Sequence, residues 1–236
     1  MSEKYESGGR GAGTIGNNAG DIGGKSYGTY QIATNTGTMN NFLQFLAGQN
    51  RNMYLELKRH KVGSSGFDNA WKRLAKSGSF GDLQHKFIKK SHYDPVVSRA
   101  QKQLGINFNS QPKAVQDVIW SLGVQHGGGG AMTVLRNSGV KSTDSPAVMI
   151  NKIYDERSKV NRYFSSSSAN IKKSVKNRFA NERKDALASL SGGGGGSYSS
   201  TSGGSGSYGG SSGGSSFTPK RTSPGSASSY IRHTMV

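Results

Sequence analysis

From Thr38 onward apolar residues return at helical spacing, and that periodicity restricts the chain to a mainly helical fold. Met39, Phe42, Leu43 and Leu46 recur at i, i+3, i+4 and i+7, and Met53, Leu55 and Leu57 continue in a second segment. Further helices are predicted over 67–75, 80–90, 95–104, 112–125, 131–137, 146–162 and 169–190. Asp94-Pro95, Ser110-Gln111-Pro112 and Ser145-Pro146 each place a capping residue beside a proline suited to a first helical turn. Ala114, Val115, Val118, Ile119 and Leu122 form a stripe wide enough for a central buried helix, with Trp120 beside it. The first 37 residues differ, being rich in Gly, Asn and Thr. They read as one short helical turn around Glu6, then loops, then a short strand from Tyr27 to Ile32. The expected fold is mainly α with a small β element and no internal repeat.

The other end of the chain cannot build a core. From Ser191 to about Ser216 it is almost wholly Gly and Ser, interrupted by Tyr198 and Tyr208 and followed by Phe217. So little apolar surface cannot offset the entropy of ordering, so a flexible tail is expected. The division that follows is a folded domain over 1–190 and a tail over 191–236, and the tail dilutes the hydrophobic fraction to 32%. Its basic end, Lys220, Arg221 and Arg232, is available to a partner.

A net charge of +18 asks for an anionic partner: nucleic acid, an acidic membrane face, or a bacterial wall with its peptide carboxylates and phosphate polymers. The densest basic cluster, Lys86, Lys89 and Lys90, is too short for a nucleic-acid arm, although the net charge leaves nucleic acid open as a partner. Cysteine is absent, which removes disulfides and thiolate metal sites. The opening Met-Ser-Glu-Lys-Tyr-Glu lacks the apolar core of a secretory signal, and no apolar run is long enough to span a bilayer. A protein of this kind would reach a wall through a pore made by a second protein or on a delivered particle.

Acidic residues number only thirteen, yet Glu6 and Asp21 flank a Gly/Asn-rich, turn-forming segment just before Ser26-Tyr27-Gly28-Thr29-Tyr30-Gln31-Ile32. Carboxylates so placed suit chemistry on a neutral or anionic polymer. Gly24-Lys25-Ser26-Tyr27-Gly28 matches the pattern of a nucleophile elbow, but glycines stand where a hydrophobic strand is required. A phosphate loop ending at Gly24-Lys25-Ser26 would need glycine where Ala19 stands. The five histidines lack a metal-binding spacing, so neither metal nor cofactor is expected.

Glu6-Ser7-Gly8-Gly9 followed by Gly28-Thr29-Tyr30-Gln31-Ile32 resembles the lysozyme superfamily, in which a helix-end glutamate precedes a short β element. The segment from Asp21 to Gly28 resembles the catalytic loop of family 46 chitosanases, where an aspartate precedes a hydroxyl residue by five positions. The whole of 1–190 resembles the chitosanase-like muramidase domain of some type VI secretion spike proteins of the valine-glycine repeat class, and related phage lysins. His92-Tyr93-Asp94-Pro95, the run Ala114 to Ser121, Val124-Gln125-His126-Gly127, Ile153 to Arg157 and Arg178 to Glu182 carry that likeness. The chain departs from it in having serine at Ser26, where many chitosanases have threonine. It also opens on its own methionine, which favours a free lysin or virion component over a secretion effector.

The resemblance implies a two-carboxylate glycosidase acting on peptidoglycan. Glu6 would be the proton donor, with its pKa raised by a partly apolar setting, and Asp21 the general base for a water that Ser26 helps to hold, which implies inversion. Tyr27, Tyr30, Gln31, Tyr93, Gln125 and His126 are the candidate substrate contacts, and Asp117, Asp155 and Arg157 a supporting ion-pair network behind Glu6. Expected partners are the wall polymer and, through the tail, virion or secretion-machinery proteins. The expected location is the host cytoplasm with release to the periplasm or wall, or the virion. Two alternatives make different demands on these residues. A lytic transglycosylase would need Glu6 alone, and a non-catalytic virion or nucleic-acid-binding protein would need neither carboxylate.

Overall fold

The computed structural model describes residues 11–16 and 24–191. The helical turn expected around Glu6, the residue Asp21 and the tail beyond Ser191 lie outside the described residues. Three two-residue strands, β1 (Ile15–Gly16), β2 (Ser26–Tyr27) and β3 (Ile32–Ala33), form an antiparallel sheet in the order β1-β2-β3, with Tyr27 opposite both Ile15 and Ile32. The single strand expected over Tyr27 to Ile32 is therefore a hairpin. Its turn needs backbone that few residues adopt, with φ of 77° at Gly28 and 52° at Gln31.

The helices follow the periodicity, except that the segment expected over 146–162 divides into two. They are α1 (Thr38–Gln49), α2 (Arg51–Lys58), α3 (Ser65–Leu74), α4 (Gly78–Ile88), α5 (Asp94–Leu104), α6 (Lys113–Ser138), α7 (Pro146–Arg157), α8 (Val160–Tyr163) and α9 (Ala169–Ser191). Asn50 caps α2 by accepting from the Met53 N–H at 3.1 Å, Ser64 does the same for α3, and Ser145 fulfils its expected role by accepting from Val148.

Two expected starts have another physical basis. Between α4 and α5 the chain does not break but widens into a π-turn over Lys89–Tyr93, and Asp94 is itself helical. The wider turn accommodates Pro95, whose ring would clash with a carbonyl one regular turn back. The Asp94 carboxylate pairs with Lys89 instead of capping. Ser110 donates to the Asn107 carbonyl within a short 3₁₀ turn (Phe108–Ser110), and Pro112 enters α6 without a side-chain cap.

The segments expected over 112–125 and 131–137 form one helix bent at Gly127, where φ 64° and ψ 175° depart from helical values. The stripe on α6 is central as expected: Ala114, Val115, Val118, Ile119 and Leu122 are buried, and α5, α7 and α9 pack around it. A second, aromatic part of the core lies under the hairpin. Trp71 is fully buried there, with ring centroids of Tyr27, Phe42, Phe67 and Phe80 within 4.9–6.1 Å of its own. No helix among the described residues is long and apolar enough to cross a membrane.

Candidate functional site

The segment from Ser26 to Gln31 is held by side chains from its own turn and from two helices. Ser26 is fully buried, and its hydroxyl donates to Gln31 Oε1 at 2.8 Å; Gln31 Nε2 in turn donates to the Gly28 carbonyl at 2.8 Å. The side chain of Gln31 thus closes the turn whose backbone it strains. Gln84, on α4, accepts from the Thr29 N–H at 3.1 Å and donates to the Ala12 carbonyl at 3.2 Å, which Trp71 Nε1 also reaches at 2.8 Å. A Cβ on Gly28 would lie 2.2 Å from Gln84 Oε1, so the close approach excludes any side chain there. On the other side Asp68 of α3 accepts from the Tyr27 hydroxyl at 2.5 Å and from Lys25 Nζ at 2.7 Å. Burial, then the bond and charge of Asp68, push the Tyr27 hydroxyl pKa far up, so it stays a donor.

Beside the hairpin runs a row of rings. The Tyr30 hydroxyl meets His85 Nδ1 at 2.7 Å, and His85 stacks on Trp120 with centroids 4.5 Å apart and planes 12° apart. Tyr93 continues the row, 5.7 Å from Trp120, and donates to Asn109 at 3.0 Å. Burial, then Asp94 and Asp117, raise its pKa to about 12. The Trp120 indole N–H is buried and has no acceptor among the described residues, a need that a water or ligand atom usually meets.

A separate polar cluster joins α6, α7 and α9. Arg157 is fully buried and approaches Glu182 Oε2 at 3.4 Å and Ser121 Oγ at 3.2 Å, with its guanidinium 4.0 Å over the Phe179 ring. Glu182 also accepts from Ser121 at 2.8 Å, Tyr154 at 3.1 Å and Arg178 at 2.6 Å. Burial pushes the Glu182 carboxyl up, but Arg178 and Arg157 outweigh it and hold its pKa below the usual value. His126 lies against this cluster among Tyr163, Phe164 and Phe179; burial, then the two arginines, hold it neutral.

The candidate site residues therefore fall into distinct settings. Ser26, Tyr27, Tyr30 and Gln31 come together in the hairpin, with Tyr93 on the adjoining ring row. Tyr27 is a core residue bound to Asp68 and not a surface platform, Tyr30, Gln31 and Tyr93 are buried as well, and Gln125 and His126 are interior residues of α6. Among the described residues Asp117, Asp155 and Arg157 have different ion-pair partners: Asp117 pairs with Lys113, the exposed Asp155 with Arg183 at 2.6 Å, and Arg157 with Glu182. The bracing residues Asp68, Gln84, His85 and Trp120 were not among the sequence candidates, nor was Glu182. Gln84 and Glu182 did carry a signal, since each interrupts an otherwise apolar helical face: Phe80, Leu83, Phe87 and Ile88 for one, Val175, Phe179 and Ala186 for the other. No three His, Asp or Glu side chains among the described residues gather as a metal site.

This arrangement of a small braced sheet on a helical body is a chitosanase-like α+β fold. A family 46 chitosanase of Gynuella sunshinyii, solved with chitotetraose, superposes with a TM-score of 0.50 at 16% identity, covering 80% of this chain and 86% of that one. The family follows from sequence: the chain belongs to the type VI secretion system spike protein VgrG3-like C-terminal family, whose profile matches residues 1–183. The spike protein VgrG3 of Vibrio cholerae serotype O1 is 37% identical over 135 residues, which are 54% of this chain and 12% of that relative. The chain thus corresponds to a small part of that protein's length.

Proposed function

We propose that the chain is a glycoside hydrolase that cuts the β-1,4 glycan backbone of peptidoglycan as a muramidase. The observation that carries this reading is the locked hairpin. It fixes Ser26 to Gln31, a few positions after Asp21 in sequence, within a match to the family that runs through Glu6 and Asp21. Inverting hydrolysis needs a protonated carboxyl on the leaving oxygen and an ionised one that activates water. Glu6 takes the first role and Asp21 the second. Ser26 is held in place by Gln31, so it can present its hydroxyl oxygen to that water without rotating away. His85, exposed and held between the Tyr30 hydroxyl and the Trp120 ring, is the ring face offered to the glycan, and the buried rings of Tyr30, Trp120 and Tyr93 fix it from behind. Arg157, with Arg178 and Glu182, is the charged support behind Glu6.

The division of the chain into a catalytic domain over 1–190 and a tail over 191–236 belongs to the same proposal. Type VI secretion machinery is the delivery partner that the spike-protein relative suggests, in place of the free lysin read from the opening methionine. The reading is tested by following purified peptidoglycan with the wild type and with Asp21→Asn. Proton NMR of the first products should show the inverted anomer from the wild type and no release from the variant; full release by Asp21→Asn would remove the second carboxylate from the mechanism.

A further inference from the structure

A recognition feature lies beyond the ring row, on the outer face of α5. Asp94, Val97, Ser98 and Gln101 fall at i, i+3, i+4 and i+7 and so share one helix face. With Asn107 and Asn109 of the following loop they line an open pocket of about 380 Å³, within the ~300–1,000 Å³ range of small-molecule sites. Its polar groups are already aimed. Asn107 Oδ1 caps the Asn109 N–H at 3.1 Å, and Asn109 Oδ1 accepts from Tyr93, so both amides are oriented through their oxygens and keep their NH₂ groups for a ligand. Ser98 and Gln101 are exposed, and their side chains make no hydrogen bond among the described residues. Val97 supplies an apolar floor.

The charge of this pocket decides what fits it. The chain has thirty-one Lys and Arg, yet none lines the pocket, and its one carboxylate, Asp94, is met by Lys89. A phosphate or a stem-peptide carboxylate would meet only Lys89, already paired with Asp94, and a polycationic glycan would find one already paired acid. Neutral donors and acceptors around an apolar floor match the hydroxyls, N-acetyl amide and C–H face of a neutral amino-sugar unit. Asn109 is tied to Tyr93, and Tyr93 packs through Trp120 to Tyr30, so a buried row of rings joins the pocket's position to that of the hairpin.

We infer that the α5 pocket is a distal glycan subsite that binds an N-acetylhexosamine unit of the same polymer strand. It rests on the proposed glycan-cleaving reading for the identity of that polymer and not for the binding itself. The test uses the full chain carrying Glu6→Gln, so that ligand survives, titrated with tetra-N-acetylchitotetraose, soluble peptidoglycan glycan strands and a free stem peptide. Either glycan should shift the amide resonances of 94–101 and 107–109, and strands binding more tightly than the chitin tetramer would mark the wall polymer as the source. Adding Ser98→Ala and Gln101→Ala should weaken glycan binding about tenfold, the value of one to two hydrogen bonds, with an unchanged melting temperature. Unchanged affinity, shifts elsewhere, or stem peptide binding at these resonances in place of glycan would overturn the inference. If the wild type fails to cut peptidoglycan while the double substitution still weakens binding, the subsite stands and the hydrolase reading falls; cutting with a silent pocket gives the reverse.

Discussion

The hairpin and the α6–α7–α9 junction both bury polar groups, but with opposite chemistry. Around the hairpin the locks at Ser26–Gln31 and Thr29–Gln84 are neutral amides and hydroxyls, and among the described residues the carboxylate in the brace, Asp68, sits at its partly exposed edge. At the helical junction the buried groups are ions, Arg157 and Glu182, with Arg178 nearly as deep. A neutral lock costs little to desolvate and ignores pH, so it suits a loop that must hold one shape. An ionic cluster is stable only when every member is present, because removing one leaves a charge buried without compensation. The first region is thus built for geometry and the second for an electrostatic field inside the helical body.

The largest effect that would break this contrast is at Glu182. Glu182→Gln leaves the two arginines facing a neutral amide and should cost about 3–5 kcal/mol in chemical denaturation. A loss below about 1 kcal/mol would mean the junction is not held by charge. In the hairpin, Gly28→Ala combines a left-handed backbone with the collision against Gln84 and should cost about 2–4 kcal/mol. Wall-lytic activity should fall further than stability does, measured at a temperature where the variant stays folded.

Acid should separate the regions next. Burial holds His92 at about 4 and keeps His126 neutral, while the unfolded chain binds protons near the ordinary histidine value. Stability from these residues is therefore full above about pH 6.5 and is lost as pH falls toward 4. Replacing His126 with Phe, which suits its aromatic surroundings, should flatten the melting temperature over that window; an equally steep decline would exclude His126 as a source. The smallest effect is expected at the rim of the junction. Asp155→Asn removes an exposed partner of Arg183 and should leave the melting temperature unchanged within error.

Helix positions were legible because the apolar period survives without knowledge of tertiary partners. The central stripe from Ala114 to Leu122 and the cap at Ser145 stand where the sequence puts them, whereas the gap expected between 125 and 131 is a bend at Gly127 within one helix. Asp94-Pro95 misleads because a proline beside a small polar residue reads the same whether a helix begins there or continues through a wider turn. The hairpin was read as one strand because two residues on each side carry no alternation to count. What shapes it is a set of side-chain bonds from Gln31 and from Gln84, the latter more than fifty residues away. Tyr27 was read as a sugar contact because nothing in a sequence distinguishes an aromatic ring that faces a ligand from one that faces Trp71. The pairing of Arg157 with Glu182 was equally hidden, since the resemblance grouped Arg157 with Asp117 and Asp155 and only the packing of α9 on α7 brings Glu182 to it.

Mass spectrometry of the soluble products from purified peptidoglycan, treated with the wild type, Glu6→Gln and Asp21→Asn, tests the central claim most directly. The account predicts reducing muramic acid ends from the wild type and their loss in both variants. Anhydro-muramyl ends that persist with Asp21→Asn, or no soluble products from the wild type, would contradict it.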